Sequence, residues 1–190
     1  MINIVIVGVG GQGTLLASKI LGHLAVTHGY DVKVSEVHGM SQRGGSVVTY
    51  VRMSREETVH SAIVEQGQAD VVLAFESLEA LRALPYVKKD GGVMIANTQE
   101  ILPMPVIIGA CEYPPDCLER VGAATKLISL PATEIAEQCG TAKAANVVLL
   151  GVLAKQLPFT YEEWMDALAK NVKPRFLEIN KEAFSRGYEL

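Results

Sequence analysis

Residues 1–36, MINIVIVGVGGQGTLLASKILGHLAVTHGYDVKVSE, decide the fold of this chain. Residues 1–7 form a nearly continuous Ile- and Val-rich run, which is typical of a strand buried on both faces of a parallel sheet. A glycine-rich turn follows, and from Thr14 apolar residues recur at helical spacing until Gly29, a suitable helix terminator. Residues 31–36 predict a second strand. The stretch therefore predicts a strand, helix, strand unit with a right-handed crossover.

The remaining sequence alternates short apolar runs with amphipathic segments. Strands are predicted at 47–53, 70–75, 92–96, 106–110 and 126–130, and helices at 77–84, 131–139 and 143–157. Thr160 and Glu163 make a capping box for a further helix. Pro174 opens a last helix, which we expect to end near Gly187. Residues 1–190 thus predict a single α/β domain: a Rossmann-like, open, mostly parallel sheet with helices on both faces and a C-terminal helical extension.

The composition is that of a globular domain. Of 190 residues, 49% are hydrophobic and 20% charged, with a net charge of −4 and a mean hydropathy of +0.23, which excludes intrinsic disorder. The longest apolar run, residues 144–154, is shorter than the roughly 18 residues that span a bilayer. The first residues also lack the basic region of a signal peptide. We therefore expect a cytoplasmic protein with no membrane partner.

The charge distribution bears on the partners. A pI of about 5.6 argues against a nucleic-acid partner. Positive charge is nevertheless gathered near the first loops, since residues 1–55 carry five Lys or Arg against two Asp or Glu.

The cysteines limit the metal and redox chemistry of the chain. Cys111, Cys117 and Cys139 are odd in number and form no CxxC pair. This pattern excludes a disulfide framework and a self-contained iron–sulfur or zinc site. We expect no metal site here and any redox centre on another chain.

The glycine turn is the first candidate site. Gly8, Gly10 and Gly13 form the pattern G-x-G-x-x-G, directly after a strand and at the start of a helix. Glycine permits a sharp turn and a close backbone approach to an anion, and the helix N-terminus carries partial positive charge. With Gly11 and Gln12, these residues are the predicted cofactor-binding turn. Two interpretations stay open: the turn binds a phosphate or other anion, or it serves only the tight turn and helix packing.

The second candidate site is the sequence EVHGMSQRGGS after the second strand. His38 can exchange a proton near neutral pH, Gln42 can form hydrogen bonds, and Arg43 offers a planar fork for a carboxylate or phosphate. We predict that these three act at a catalytic pocket or an interface. Ser41 and Gly44 are predicted to contact a cofactor. An ordinary surface loop is the alternative interpretation.

Two further residues keep alternatives open. Glu36 follows Gly13 by 23 residues, where dinucleotide enzymes place a ribose-binding carboxylate. A free-standing NAD- or flavin-binding oxidoreductase is therefore one alternative, although the chain leaves no residues for a substrate domain, and a non-enzymatic nucleotide-binding module is another. Asn146 lies inside an apolar helix, so its amide must either fix a loop or reach the ligand edge.

Taken together, GVGGQG at 8–13 and EVHGMSQRGGSV at 36–47 resemble the γ-type subunit of the 2-oxoacid:ferredoxin oxidoreductases. Within that family, the likeness is strongest to the small subunit of the indolepyruvate enzymes. It covers essentially the whole chain, including the DVVLAFE strand at 70–76 and the NVVLLGVLA helix at 146–154. The HGMSQRGG stretch is the distinctive part, because the glycine turn alone is common to many families.

The resemblance implies a subunit that is inactive alone. Its complex would oxidatively decarboxylate a 2-oxoacid, such as indolepyruvate or another aryl or branched 2-oxoacid, to an acyl-CoA and would reduce ferredoxin. Thiamine diphosphate, Mg and 4Fe–4S clusters would lie on a large partner subunit, ferredoxin would be an indirect partner, and CoA would be a co-substrate. This chain would bind no cofactor tightly by itself. Residues 10–13 and 38–45 would face the partner or the CoA entrance.

Overall fold

A computed structural model describes residues 1–40 and 44–190. Six strands in this part of the chain form one mixed sheet. The strands are β1 (Ile2–Val9), β2 (Asp31–His38), β3 (Ser46–Ser54), β4 (Val71–Ala74), β5 (Val93–Asn97) and β6 (Lys126–Leu130). Their order is β2-β3-β1-β4-β5-β6. β1, β4, β5 and β6 run parallel, whereas β3 is antiparallel to both of its neighbours.

Helices cover both faces of this sheet. They are α1 (Thr14–Thr27), α2 (Ser77–Ala83), α3 (Met104–Ile107), α4 (Cys117–Ala124), α5 (Ala132–Gln138), α6 (Ala145–Ala154), α7 (Tyr161–Asn171) and α8 (Leu177–Glu189). The larger core contains α1 and α5 to α8 and receives the side chains of Ile4 and Ile6. The smaller core contains α2 and α4 and receives Val5 and Val7. The predicted Rossmann-like class, with its C-terminal helical extension, is confirmed.

No helix within 1–40 and 44–190 is long and apolar enough to cross a membrane.

The position of β3 differs from the simple crossover that the sequence predicts. β2 is parallel to β1, but β3 lies between them, so that Val51 pairs with Ile4 on one side and with Val34 on the other. The physical reason lies in the side chains. Val51 and Met53 are fully buried, whereas Val34 on β2 is 44% exposed. The more apolar strand takes the central position, and the polar one forms the sheet edge.

The prediction of a strand at 106–110 is wrong. These residues lie partly in α3, which begins next to Pro103 and has Pro105 in its first turn. Proline cannot donate a ladder hydrogen bond, so this segment is a poor central strand. The place beside β5 is taken instead by β6. The apolar run is therefore left at the surface. α4, which follows it, was not predicted.

The two C-terminal helices begin and end close to their predicted positions. The capping box is confirmed, because Thr160 Oγ1 accepts a hydrogen bond from the Glu163 N–H at 3.3 Å and the Thr160 N–H donates to Glu163 Oε2 at 2.7 Å. Gly187 does not end the last helix, which continues to Glu189. A Cβ at Gly187 would overlap the carbonyl of Val148, so this glycine permits the close approach of α8 to α6.

Candidate functional site

The glycine turn connects β1 to α1 at the carboxyl edge of the sheet. Gly11 and Gly13 have φ values of 106° and 89°, a region that favours glycine. A Cβ at Gly8 would lie 2.9 Å from Gln12 Oε1 and 3.1 Å from Phe75 Cβ, so glycine is also required there for space. The shape of the turn thus depends on its glycines.

Gln12 holds this turn against the end of β4. Its Oε1 accepts a hydrogen bond from the backbone N–H of Val9 at 2.8 Å. Its Nε2 donates to the carbonyl of Phe75 at 2.9 Å and to Gln99 Oε1 at 3.2 Å. Gln12 is predicted as a cofactor-binding residue, but both ends of its amide bond the protein. The geometry makes it a residue that positions the turn.

Further polar side chains extend this network along the sheet edge. Asn97 Nδ2 donates to Thr133 Oγ1 at 2.9 Å and to the carbonyl of Phe75 at 3.3 Å. Thr133 Oγ1 donates in turn to Gln99 Oε1 at 3.3 Å. Sequence analysis missed these residues, although each lies at or just after the end of a strand, where open α/β folds place ligands.

Asn146 connects helix α6 to the same network. Its side chain is buried, and Nδ2 donates to the carbonyl of Gly13 at 3.3 Å. A Cβ at Gly13 would overlap this amide nitrogen. Asn146 also lines a cavity of about 200 Å³ together with Gly11 and Asn97. Both of its predicted roles are therefore compatible with the structure: the amide fixes the turn and lies beside a cavity.

The network has unused acceptors. Asn97 Oδ1 and Asn146 Oδ1 are buried and accept no hydrogen bond from the part of the chain that the structure describes. Their amide nitrogens, by contrast, donate to carbonyl or hydroxyl oxygens. This side of the glycine turn therefore presents neutral amide oxygens, and Lys143 at the same cavity is the charged residue of its lining.

The two candidate sites meet in the structure. The Gly10 N–H donates to the carbonyl of Gly45 at 2.8 Å, and the Gly44 N–H donates to the carbonyl of Gly10 at 3.4 Å. Gly44 has a φ of 76°, which favours glycine. The end of the loop between β2 and β3, residues 39–45 (the second loop), is thus held at the glycine turn. Three of its predicted site residues lie outside the described residues: Ser41, Gln42 and Arg43.

The other side of the turn opens into a cavity of about 310 Å³. It is lined by Gly10, Gly11, Gly13, Thr14, Leu15, Glu36, His38 and Val47. Glu36 Oε2 accepts hydrogen bonds from Thr14 Oγ1 at 3.1 Å and from Thr49 Oγ1 at 3.2 Å. His38 is exposed, with Nδ1 2.9 Å from the carbonyl oxygen of Gly39.

The electrostatics of this second cavity are mixed. α1 has no side-chain N-cap bond and no acidic residue in its first turn. Its N-terminus therefore supplies N–H donors and partial positive charge suited to an anion. The Glu36 carboxylate supplies negative charge and can accept hydrogen bonds from hydroxyl groups. A ligand that carries both phosphate and hydroxyl groups fits this arrangement.

A buried acidic pair supports the second loop from behind. Glu79 Oε2 accepts a hydrogen bond from Ser46 Oγ at 2.6 Å, and Ser46 begins β3 directly after that loop. Glu79 Oε1 accepts from Arg82 Nη1 at 2.6 Å. This carboxylate therefore links α2 to the end of the loop.

Glu76 is the other member of the pair, and it anchors the following segment. It caps α2 by accepting from the Glu79 N–H at 2.8 Å, and its Oε1 accepts from the Ile101 N–H at 3.0 Å and from Tyr113 Oη at 2.5 Å. Burial and this hydrogen bond raise the pKa of Tyr113. Burial and the nearby charge of Glu76 also raise the pKa of the Cys117 thiol. Two carboxylates directly after a buried strand were a signal that sequence analysis did not use.

The residues that the structure describes do not fit an iron–sulfur cluster or a magnesium diphosphate centre. Cys111 is exposed, Cys117 is buried and Cys139 is intermediate. Across residues 1–40 and 44–190 there is no group of three or more His, Cys, Asp or Glu side chains that could hold a metal ion. We therefore derive no reaction step on this chain through such a group.

Comparison with known proteins gives the family. The sequence model of the pyruvate ferredoxin/flavodoxin oxidoreductase family matches residues 3–190. The chain is 41% identical over 191 residues to the indolepyruvate oxidoreductase subunit IorB of Thermococcus kodakarensis, covering 97% of this chain and 93% of that protein.

Solved structures agree on the fold. The pyruvate oxidoreductase subunit PORC of Thermotoga maritima has a TM-score of 0.75 at 23% identity, covering 99% of this chain and 95% of that one. The 2-oxoglutarate:ferredoxin oxidoreductase of Magnetococcus marinus, solved with 2-oxoglutarate, coenzyme A and succinyl-CoA, has a TM-score of 0.74 at 18% identity. There the match covers 99% of this chain but 30% of the longer one. The chain thus belongs to the pyruvate ferredoxin/flavodoxin oxidoreductase family, as a subunit of a 2-oxoacid:ferredoxin oxidoreductase.

Proposed function

We propose that this chain is the small subunit of a thiamine-diphosphate-dependent complex that oxidatively decarboxylates a 2-oxoacid to an acyl-CoA and reduces ferredoxin. The observation that carries the proposal is the junction of the two candidate sites, where the Gly10 N–H donates to the carbonyl of Gly45 at 2.8 Å. This junction borders a cavity suited to phosphate and hydroxyl groups. The identity to the indolepyruvate oxidoreductase subunit favours indolepyruvate, or another aryl or branched 2-oxoacid, as the substrate.

The proposal divides the chemistry between two chains. Thiamine diphosphate, when bound on the partner, supplies stabilisation of the carbanion that decarboxylation leaves. The proposal assigns magnesium and the 4Fe–4S clusters to the same partner, as the family resemblance implies. The small subunit then shapes the pocket, excludes water and orients the co-substrate.

Individual residues have distinct roles in this proposal. The N–H groups at the start of α1, beside Gly13, receive an anionic group such as the diphosphate of CoA. Glu36 accepts a hydrogen bond from a hydroxyl of the same ligand. Arg43 pairs with a carboxylate or phosphate of the partner or ligand. His38 presents an exposed imidazole at the same cavity as Glu36.

The test is anaerobic purification of the tagged full chain from its native cell. We expect a stoichiometric partner that carries CxxC clusters and a thiamine-diphosphate motif. The purified complex should reduce ferredoxin with a 2-oxoacid and CoA, and removal of the small subunit should abolish turnover. A chain that purifies alone and binds NADH at micromolar concentration, with that binding lost in Glu36→Ala, would instead establish a free-standing dinucleotide enzyme.

Arg43 gives a more specific test of the loop. Arg43→Ala should lower turnover of the reconstituted complex by about tenfold or more, because a bidentate charge-assisted contact is lost. Lys19→Ala, which removes an exposed positive charge from α1, is the matched control and should leave turnover unchanged. An unchanged rate in a stably assembled Arg43→Ala complex would remove Arg43 from the site.

A further inference from the structure

Residues 101–108, ILPMPVII, form an apolar surface segment between β5 and α4. Four of its large side chains are at least half exposed: Leu102 at 50%, Met104 at 64%, Ile107 at 63% and Ile108 at 70%. A monomeric soluble protein rarely exposes a contiguous apolar patch of this kind, and such patches mark interaction sites. The segment is therefore a candidate interface.

The fold holds this segment at the surface. The Ile101 N–H is bonded to the buried carboxylate of Glu76, and Tyr113 bonds the same carboxylate beyond the far end of the segment. Within it, the N–H groups of Val106 and Ile107 donate to the carbonyl of Pro103 at 2.9 and 3.1 Å. The segment is thus anchored at both ends and hydrogen-bonded within α3, so the exposure of the apolar side chains is a property of the folded chain.

A groove of about 370 Å³ separates the apolar surface segment from the second loop. Met104 and Ile107 line one wall, and Gly44 and Gly45 line the other. Because Gly44 and Gly45 are hydrogen-bonded to the glycine turn, a partner seated in the groove also contacts the edge of the candidate site. The groove and that site form one continuous surface.

Three charged residues line this groove: Glu76, Glu79 and Arg82. Both carboxylates are buried and hydrogen-bonded within the chain, so Arg82 is the exposed charge at the groove. Its guanidinium is half exposed and uses Nη1 to bond the buried Glu79. Within residues 1–40 and 44–190, no acceptor bonds the remaining guanidinium nitrogens of Arg82. These nitrogens can therefore donate toward the groove. A guanidinium at the rim of an apolar groove is complementary to a carboxylate on an otherwise aliphatic partner segment.

We infer that the apolar surface segment and its groove dock the large subunit of the complex, through an aliphatic stretch that places a carboxylate opposite Arg82. The inference rests on the proposed function, which requires a partner at the edge of the site. In the Magnetococcus marinus oxidoreductase the same fold makes up 30% of a longer chain, so there this unit is joined to further domains of the same chain.

The test uses the full chain reconstituted with its large subunit. Ile107→Asp should weaken association by about tenfold or more, because a charge is buried against an apolar partner. Val26→Asp, at a site 65% exposed near the end of α1, is the matched control and should change association by less than about twofold. Both variants should keep the thermal unfolding midpoint of the free wild-type chain.

A second variant tests the charge. Arg82→Gln should weaken association several-fold and reduce its dependence on salt concentration, because the proposed ion pair is lost. If the wild-type chain binds its large subunit and Ile107→Asp binds equally well, the docking inference is overturned while the proposed function stands. If no thiamine-dependent partner binds the wild type, the proposed function fails. A wild-type homodimer that Ile107→Asp dissociates would assign the groove to a second copy and overturn the inference.

Discussion

Of two apolar stretches in this chain, one is buried and the other is exposed. α6, with the sequence ANVVLLGVLA, lies in the larger core, where Leu149 and Leu150 have no exposed surface. The apolar surface segment, ILPMPVII, leaves Ile107 and Ile108 largely exposed. The hydrophobic effect favours burial of either stretch in proportion to its apolar area. Hydrophobicity therefore does not decide which of the two enters the core of this chain.

Backbone chemistry accounts for the difference. α6 contains no proline, and Gly151 allows the backbone of α8 to approach it closely. The surface segment has Pro103 and Pro105, which remove ladder donors and disfavour a strand. The lesson is that an apolar segment kept out of the core by its own backbone is a candidate for burial by another chain.

The largest expected effect tests this difference directly. Leu149→Ala should lower the free energy of unfolding by about 2–5 kcal/mol, because it leaves a cavity in the larger core. Ile108→Ala removes a similar number of atoms from the exposed segment. This variant should change the free energy of unfolding by no more than about 0.5 kcal/mol. Urea unfolding of the two variants measures both values. Equal losses would mean that the surface segment is packed as tightly as α6.

The anchor of the surface segment has an intermediate effect. Tyr113→Phe removes a hydrogen bond to the buried Glu76 carboxylate and should destabilise the chain by about 1–3 kcal/mol. Proteolysis within 101–113 should accelerate before global unfolding, since the segment loses one attachment to α2. A variant with wild-type stability and cleavage rate would show that the Ile101 contact alone holds the segment.

The smallest effect appears at alkaline pH. Burial, together with the hydrogen bond between the Tyr50 and Tyr86 hydroxyls, raises the pKa of Tyr50 from 10.0 to about 12. At pH values below 10.0 Tyr50 keeps its proton in both the folded and the unfolded state, so its full contribution to stability is present there. Between these values the unfolded state loses the proton first, and stability falls as pH rises. Thermal unfolding across this range should show the decline, with a shallower slope in Tyr50→Phe; an unchanged slope would exclude Tyr50 as its source.

Much of the fold could be predicted locally. The first strand, the glycine turn, α1 and the capping box at Thr160 each depend on residues close together in the sequence, where periodicity and capping chemistry are decisive. Both candidate sites also follow predicted strands, where open α/β folds place ligands.

The side-chain partners at the site could not be predicted. Gln12 bonds Gln99 across 87 positions, and Asn146 bonds Gly13 across 133. No local pattern records such distant pairs. The close approach of Gly187 to the backbone of Val148 on α6 is equally distant in sequence and was not predicted.

The sequence by itself determined the α/β class, the glycine turn and the family resemblance, because these depend on hydrophobic period, glycine geometry and short motifs. Only the tertiary structure decided that β3 lies between β1 and β2, that an amide network fixes the turn, and that residues 101–108 stay outside the core. Each of these outcomes is a competition between distant segments for one place in the sheet or core. The winner is set by packing and backbone hydrogen bonding over the whole chain, which no local pattern contains.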